Sequence, residues 1–496
     1  MIDIYFFISE IFLIIIFFTL LIYGVFISVS KNYGYPILTK NLGYLVIIAF
    51  FFSMILVIKS SDFSNIYFTN FFFSDQSVKW IKITLLFVSI CYVFLVIHNV
   101  SQEKLNIFEF FLLFLLAISS IFLIISASDL ISIYVSLEIL NLIFYVLATI
   151  KRTSEFSTEA GLKYFILGVF STGLLLFGIS LVYGYTGITN FVDLNMFFQN
   201  LDKEESSLWL TPELLLGLTL IGTAFFFKLG AAPFHMWNPD VYEGTLTSIM
   251  SIFMVFTKFV IFYLFVNLFN FGFYNLFDVW QKLVIFCAVF SLFLGTFTAF
   301  AQIKFKRFLA YSSINHIGFI MIAICSLNCN GFYSLFFYII IYILISLGIL
   351  SSLLSIRNFS NYKINSQIRY INEFIILSKT HPILAFSVLV MFFSMAGIPP
   401  LAGFFTKLVV FLTCLENKLY NLVIFAVFIS CLAAFYYIRI IKIIYFDNSD
   451  VWPVYVNIDK SKATVLSLSV LSVISFCLDP NLIINIVYII TTIRLF

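Results

Sequence analysis

The sequence predicts an all-α polytopic membrane protein of about fourteen transmembrane helices, arranged as two inverted five-helix repeats that each contain one proline-broken helix. Three observations carry this prediction. The 496 residues are 62% hydrophobic and only 10% charged, with a mean hydropathy of +1.10. Soluble domains run at about 45–50% apolar and about 25% charged. Apolar runs of about 17–25 residues, the length that crosses a bilayer, recur along the whole chain. Two of those runs, five spans apart, hold a Gly-Pro break: Gly230-Ala231-Ala232-Pro233 and Gly397-Ile398-Pro399-Pro400.

In order, the apolar runs fall near 3–29, 43–59, 77–97, 107–126, 130–150, 156–186, 211–232, 246–269, 278–300, 308–326, 331–356, 381–411, 419–446 and 463–492. The first is too long for the apolar core of a signal peptide and lacks a basic segment before it, so it is expected as a span. The turn Ser126-Ala127-Ser128-Asp129 is so short that the spans on either side must be antiparallel neighbours. Pro233 lies in the seventh span and Pro399-Pro400 in the twelfth. The two breaks therefore coincide if spans four to eight and nine to thirteen are copies. Five crossings per copy turn the second one over, as in transporters built from inverted repeats. The chain then divides into an N-terminal three-helix segment (1–100), a first repeat (101–270), a second repeat (271–447) and a C-terminal helix (448–496).

Charge sets the orientation. The formal net charge is only +3, which gives no basis for nucleic-acid binding. Of the 27 Lys and Arg, sixteen lie in one set of alternate connections and seven in the other set with the termini. The second set also carries the acidic loop Asp202-Lys203-Glu204-Glu205. By the positive-inside rule both termini face the intermembrane space or periplasm. The 67 Phe and 27 Tyr suggest AT-rich coding, hence an organelle or a reduced genome. The seven cysteines lie mostly in apolar runs, where a free thiol behaves as a small hydrophobe. Cys325 and Cys329, the one close pair, have no further Cys or His beside them to build an iron–sulfur or zinc site.

The four other basic residues fall inside spans, and with one carboxylate they are the candidate chemistry. Lys228 precedes the first break and Lys407 follows the second. Lys258 is mid-span in Phe256-Thr257-Lys258-Phe259, Lys163 lies on the sixth span, and Glu138 sits in Val135-Ser136-Leu137-Glu138-Ile139. A lysine at membrane depth costs about 2.5–3.5 kcal/mol on insertion scales, so it faces the protein interior with a partner. A helix break in hydrocarbon persists only where other groups satisfy its freed backbone or where it lines a polar cavity. Burial disfavours an ammonium and a nearby carboxylate favours it, so such lysines can load and release protons near neutral pH. The structural alternative is a set of fixed ion pairs holding helix register. His235, just after the break, and His316, in the polar patch Tyr311-Ser312-Ser313-Ile314-Asn315-His316, are either path members or hydrogen-bonded core histidines. Asp240 and Glu243 are expected to bond backbone groups at a helix start.

These segments resemble the NADH dehydrogenase subunit 2 family of respiratory complex I. The resemblance rests on Phe227-Lys228-Leu229-Gly230-Ala231-Ala232-Pro233-Phe234-His235-Met236-Trp237, on Pro239-Asp240-Val241-Tyr242-Glu243-Gly244, and on Ser136-Leu137-Glu138, Tyr311-Ser312-Ser313-Ile314 and Ala396 through Lys407. It implies an antiporter-like, proton-translocating subunit of NADH:ubiquinone reductase in the mitochondrial inner membrane or a bacterial plasma membrane. Its partners would be the other membrane-arm subunits and bilayer lipid, cardiolipin included. This chain would hold no cofactor; NADH, FMN, iron–sulfur clusters and ubiquinone would belong to other subunits.

By position, Glu138, Lys163, Lys228, Lys258 and Lys407 match the family's ionisable residues on helices five, six, seven, eight and twelve. The expected polar line runs Glu138, Lys228, Lys258, Lys407. Lys163 and His235 would join it to the basic-loop side, and Lys407 would be its exit. One departure is Thr245-Leu246-Thr247, where the family reads Pro-Thr-Pro. The competing readings are a subunit of a cation/proton antiporter complex and a scaffold whose buried charges only hold helices together.

Overall fold

In hydrocarbon no water solvates a peptide group, so an apolar run must satisfy its backbone internally, and a helix does so within one segment. A computed structural model describes residues 7–28, 35–60, 65–67, 70–103, 107–201, 212–326, 329–358, 366–375, 377–447 and 458–492. Nineteen α-helices account for nearly all of them, with two short two-stranded hairpins. The first three helices are α1 (Ile8–Ser28), α2 (Tyr35–Lys59) and α3 (Gln76–Gln102). Then come α4 (Glu109–Ser126), α5 (Leu130–Ala148), α6 (Glu155–Thr186), α7 (Phe191–Leu201), α8 (Pro212–Leu229), α9 (Trp237–Gly244) and α10 (Thr247–Asn267). The second half holds α11 (Phe277–Phe300), α12 (Phe305–Ile324), α13 (Cys329–Ser355), α14 (Leu377–Thr380), α15 (Pro382–Ala396), α16 (Ala402–Glu416) and α17 (Tyr420–Tyr445). The chain closes with α18 (Lys460–Ser475) and α19 (Asn481–Thr492).

Twelve helices among the described residues are long and apolar enough to cross a membrane, against the expected fourteen or so. The difference lies in two runs that the structure breaks. The 381–411 run splits at Gly397 into α15 and α16, each of 15 residues. The 463–492 run splits before Pro480 into α18 and α19, of 16 and 12 residues. All four pieces are shorter than the ~20 residues that span hydrocarbon. The sequence reading also missed α7. It is an 11-residue amphipathic helix with Phe191, Leu194 and Phe198 turned inward, at the spacing of one helical face. The acidic loop 202–205 lies outside the described residues.

The packing repeats. In the first half α4 packs on α5, α5 on α6, α6 on both α8 and α9, and α10 on α8 and α4. In the second half α11 packs on α12, α12 on α13, α13 on both α15 and α16, and α17 on α15 and α11. Each of these contacts in one half has its counterpart in the other, and five crossings per unit invert the second unit. Where the halves meet, α10 packs against α13 and α9 against α12. All 21 residues of α10 are buried, as befits a helix that is apolar on every side. By contrast α1 presents Ile15, Phe18, Ile22 and Phe26 outward, a surface suited to lipid.

One buried ion pair corrects the charge reading. Lys82, one of the seven basic residues that the charge pattern assigns to connections and termini, lies within α3 and pairs with Glu10 of α1, their side chains 8% and 2% exposed. Ser9 Oγ donates to the second Glu10 carboxylate oxygen at 2.6 Å. Breaking a buried pair from one side strands the other charge, at a cost of about 3–5 kcal/mol, whereas an apolar replacement of both is often neutral. Lys82→Met is therefore expected to lower the thermal midpoint sharply, and Glu10→Leu added to it to recover most of the loss. Equal losses in the single and double variants would refute this account.

Candidate functional site

The site begins at the two breaks, which are built alike. At the first, α8 ends on Gly230 with φ +72°, the left-handed region open to glycine, and Ala231 N–H bonds back to Phe226 C=O at 3.0 Å. At the second, α15 ends on Gly397 with φ +83°, and Ile398 N–H bonds to Phe393 C=O at 3.1 Å. A cis proline follows three residues after each glycine, at Pro233 and Pro400. The freed carbonyls find different partners. Trp237 Nε1 donates to Phe227 C=O at 2.7 Å in the first break. In the second, Lys407 Nζ reaches back to Met395 and Ala396 C=O at 3.1 and 2.8 Å. The open carbonyl end of a helix carries partial negative charge, so a cation is favoured there. Each break thus keeps a lysine beside it, from before the glycine in one copy and after it in the other.

Lys228, on the last turn of α8, donates to Asn141 Oδ1 of α5 at 3.2 Å. Asn141 lies three residues after Glu138, on the same helix, and Glu138 is close enough for its charge to act on Lys228. A small cavity between α5, α6, α8 and α10 is lined by Asn141, Tyr164, Ser171, Lys228 and Thr257. It brings Lys228 to the residue just before Lys258.

Lys258 sits at the middle of α10. Its Nζ donates to the Tyr342 hydroxyl of α13 at 3.1 Å, and the rings of Tyr342 and Tyr242 stand 5.3 and 6.0 Å from it. The Tyr342 ring is 5.4 Å from the His316 ring. His316 Nδ1 is 2.7 Å from the Tyr338 hydroxyl, and its Nε2 is 3.0 Å from that of Tyr437. A second cavity has His316, Tyr338, Tyr342, Ser394, Thr406 and Lys407 in its lining, so His316 and Lys407 face one space. His316 therefore stands between Lys258 and Lys407.

Sequence reasoning found the ionisable members of this line and missed its hydroxyl and amide links, Asn141, Thr257, Tyr338, Tyr342 and Tyr437. Tyr338 and Tyr342 carried a faint signal, because an i, i+4 pair of hydroxyls on a membrane helix presents one polar stripe. Tyr437 carried none.

Lys163 and His235 lie apart from the line. Lys163 is partly exposed and pairs with Glu159 at 2.8 Å and Asp240 at 2.9 Å. Asp240 also accepts from Arg307 at 3.0 Å, and Glu243 pairs with Lys304 and Arg307. The expectation that Asp240 and Glu243 bond backbone groups is corrected: both lie within α9, and their carboxylates hold side-chain cations. His235 is buried in the turn before α9, its ring 6.4 Å from that of Tyr311. Among the described residues no group of three or more His, Cys, Asp or Glu side chains is placed to hold a metal.

Residues 127–433 match the family described as NADH:quinone oxidoreductase/Mrp antiporter, transmembrane. The chain is 40% identical to NADH-ubiquinone oxidoreductase chain 2 of Marchantia polymorpha, over 95% of each chain. It is 36% identical to NADH-quinone oxidoreductase subunit N of Paramagnetospirillum magneticum, over 95% of this chain and 94% of that one. Its fold matches a chain of respiratory complex I from Thermus thermophilus with a TM-score of 0.75, at 23% identity, over 96% of this chain and 98% of the other.

Proposed function

This chain belongs to the NADH:quinone oxidoreductase/Mrp antiporter transmembrane family, alongside the chain 2 and subunit N proteins, and from that premise we propose that it moves protons for a complex whose redox chemistry lies in other subunits. The complex is an NADH:ubiquinone reductase, set in the mitochondrial inner membrane, with both termini of this chain on the intermembrane-space side. Its partners are the other membrane-arm subunits, which hold the flavin, the iron–sulfur clusters and the quinone. The proposed units are the four the sequence divides into, with the two repeats at 101–270 and 271–447.

One observation supports the proton role: Lys258 bonds the Tyr342 hydroxyl, the His316 ring lies 5.4 Å beyond that of Tyr342, and His316 and Lys407 line one cavity. A hydroxyl both accepts and donates, so it can pass a proton without holding charge. Lys228, Lys258, His316 and Lys407 are the groups that hold the proton in turn. Glu138 governs the first of them, since a carboxylate favours the charged form of the lysine beside it. Lys163 and His235 serve the basic-loop side, Lys163 through its pair with Asp240.

Lys228→Met in the assembled complex tests this reading. Electron transfer from NADH is expected to continue in part, while protons pumped per electron fall several-fold. Unchanged pumping with Lys228→Met would refute it, and pumping that requires sodium would move the chain to the antiporter reading.

A further inference from the structure

The helix that carries Lys258 begins without a cap of its own. Leu246 stands at its N-cap position in extended backbone, and no side-chain bond reaches the first turn from there. The first four N–H groups of a helix lack partners within it, and Ser, Thr, Asp or Asn at the N-cap answers them, whereas leucine ranks near the bottom. Thr247 and Ser248 are 1% and 0% exposed, so bulk water does not reach this turn.

A carboxylate from another helix stands there instead. Glu103, immediately after α3, is buried. Thr247 Oγ1 donates to its Oε1 at 2.5 Å and Ser248 Oγ to its Oε2 at 2.9 Å. The charge lies at the positive end of the α10 dipole, where an anion is favoured. Tyr92 of α3 adds a second grip, its hydroxyl donating to Ser248 C=O at 2.9 Å. Cations from two other segments meet the same end of α3: Arg357 donates to Asn99 Oδ1 at 2.7 Å and Lys462 to Gln102 Oε1 at 3.4 Å. Lys306 donates to Thr245 C=O at 2.6 Å, just before the start of α10.

We propose that Glu103 is a positioning residue for proton transfer at Lys258: it tethers the first turn of α10 through the Thr247 and Ser248 hydroxyls, so that α3 fixes the height at which Lys258 meets Tyr342. The proposal rests on the proton role of Lys258. Lys258 lies eleven residues beyond Thr247, about 16 Å along the axis at 1.5 Å per residue. A buried helix carries a shift at its start along its length, and the Lys258–Tyr342 bond of 3.1 Å has little slack. A misplacement of about 1 Å can cost a transfer step about a hundredfold. Loss of these two hydroxyl bonds leaves the apolar packing of α10 in place, and Glu103→Gln keeps the volume of the side chain.

The test uses Glu103→Gln and Glu103→Ala, each alone and combined with Leu246→Ser, which restores a local N-cap. Each is assembled in the full complex, and the readouts are the amount assembled, electron transfer from NADH, and protons per electron in sealed vesicles. The Glu103 variants are expected to keep electron transfer and lose about threefold or more in protons per electron. Leu246→Ser alone should be silent, and added to either Glu103 variant it should restore at least about half of the loss. An unchanged proton ratio in the Glu103 variants, or a loss that Leu246→Ser does not restore, overturns the proposal. If Glu103→Ala fails to assemble, recovery of assembly by Leu246→Ser supports it and continued failure overturns it. Lys258→Met is the reference. Full pumping there overturns the proton role and this proposal together, whereas loss of pumping in Lys258→Met beside unaffected Glu103 variants removes Glu103 alone.

Discussion

Lys258→Met is expected to reduce protons per electron to less than about a tenth, with electron transfer retained in part. Proton transfer needs hydrogen-bond reach of about 2.6–3.2 Å at each step, and a positioned acid–base group contributes about 10²–10⁴-fold. Lys258 is the one Lys, Arg, His, Asp or Glu of α10, and its Nζ donates to the Tyr342 hydroxyl at 3.1 Å. Methionine is flexible and close to lysine in length, so it fills the same volume. Removing an ammonium from a fully buried helix also removes a desolvation cost, so assembly is expected to persist. Tyr342→Phe separates the two roles, because it keeps the ring beside Lys258 and removes only the hydroxyl link. It is expected to lower the ratio less than Lys258→Met does. Proton uptake by sealed vesicles during NADH oxidation reads both variants, and full pumping by Lys258→Met would remove this line as the route.

Gly403→Ala is expected to abolish assembly, the largest structural effect of any single methyl in the described chain. A Cβ at residue 403 would lie 1.7 Å from the Ser394 carbonyl oxygen and 2.6 Å from its carbon. Both atoms are backbone, so no side chain can turn aside, and α15 would have to move away from α16. Overpacking costs about 1–3 kcal/mol where side chains can give, and more where they cannot. The displacement would also draw Lys407 away from the Met395 and Ala396 carbonyls that receive it. Gly173→Ala is the control, since a Cβ there meets nothing within 4 Å. Assembled complex detected by its mobility on a native gel distinguishes them. Equal amounts of the two variants would show that the broken helix accommodates what its geometry forbids.

The sequence by itself determined the membrane class, the place of most long helices, and the positions of both breaks. These follow from local rules: apolar length sets a crossing, and proline and glycine end a helix wherever they fall. It also marked Glu138, Lys228, Lys258 and Lys407, because an ionisable side chain in an apolar run needs a reason.

The tertiary structure alone decided what joins them. Tyr342 lies 84 positions from Lys258 and Tyr437 lies 121 from His316. Tyrosine in an apolar run is ordinary, and only packing shows whether its hydroxyl meets a lysine, a histidine or nothing. Lys82 reads as a connection charge, and Glu103 carries no signal in the sequence, for the same reason. A charge near the end of a span is cheap if it reaches water and costly if a neighbouring helix covers it, and the covering helix is a long-range fact. The broken fourteenth run and α7 were lost to a different cause. A window of hydropathy averages over a short interruption, whereas the backbone at Pro480 cannot continue its hydrogen bonds.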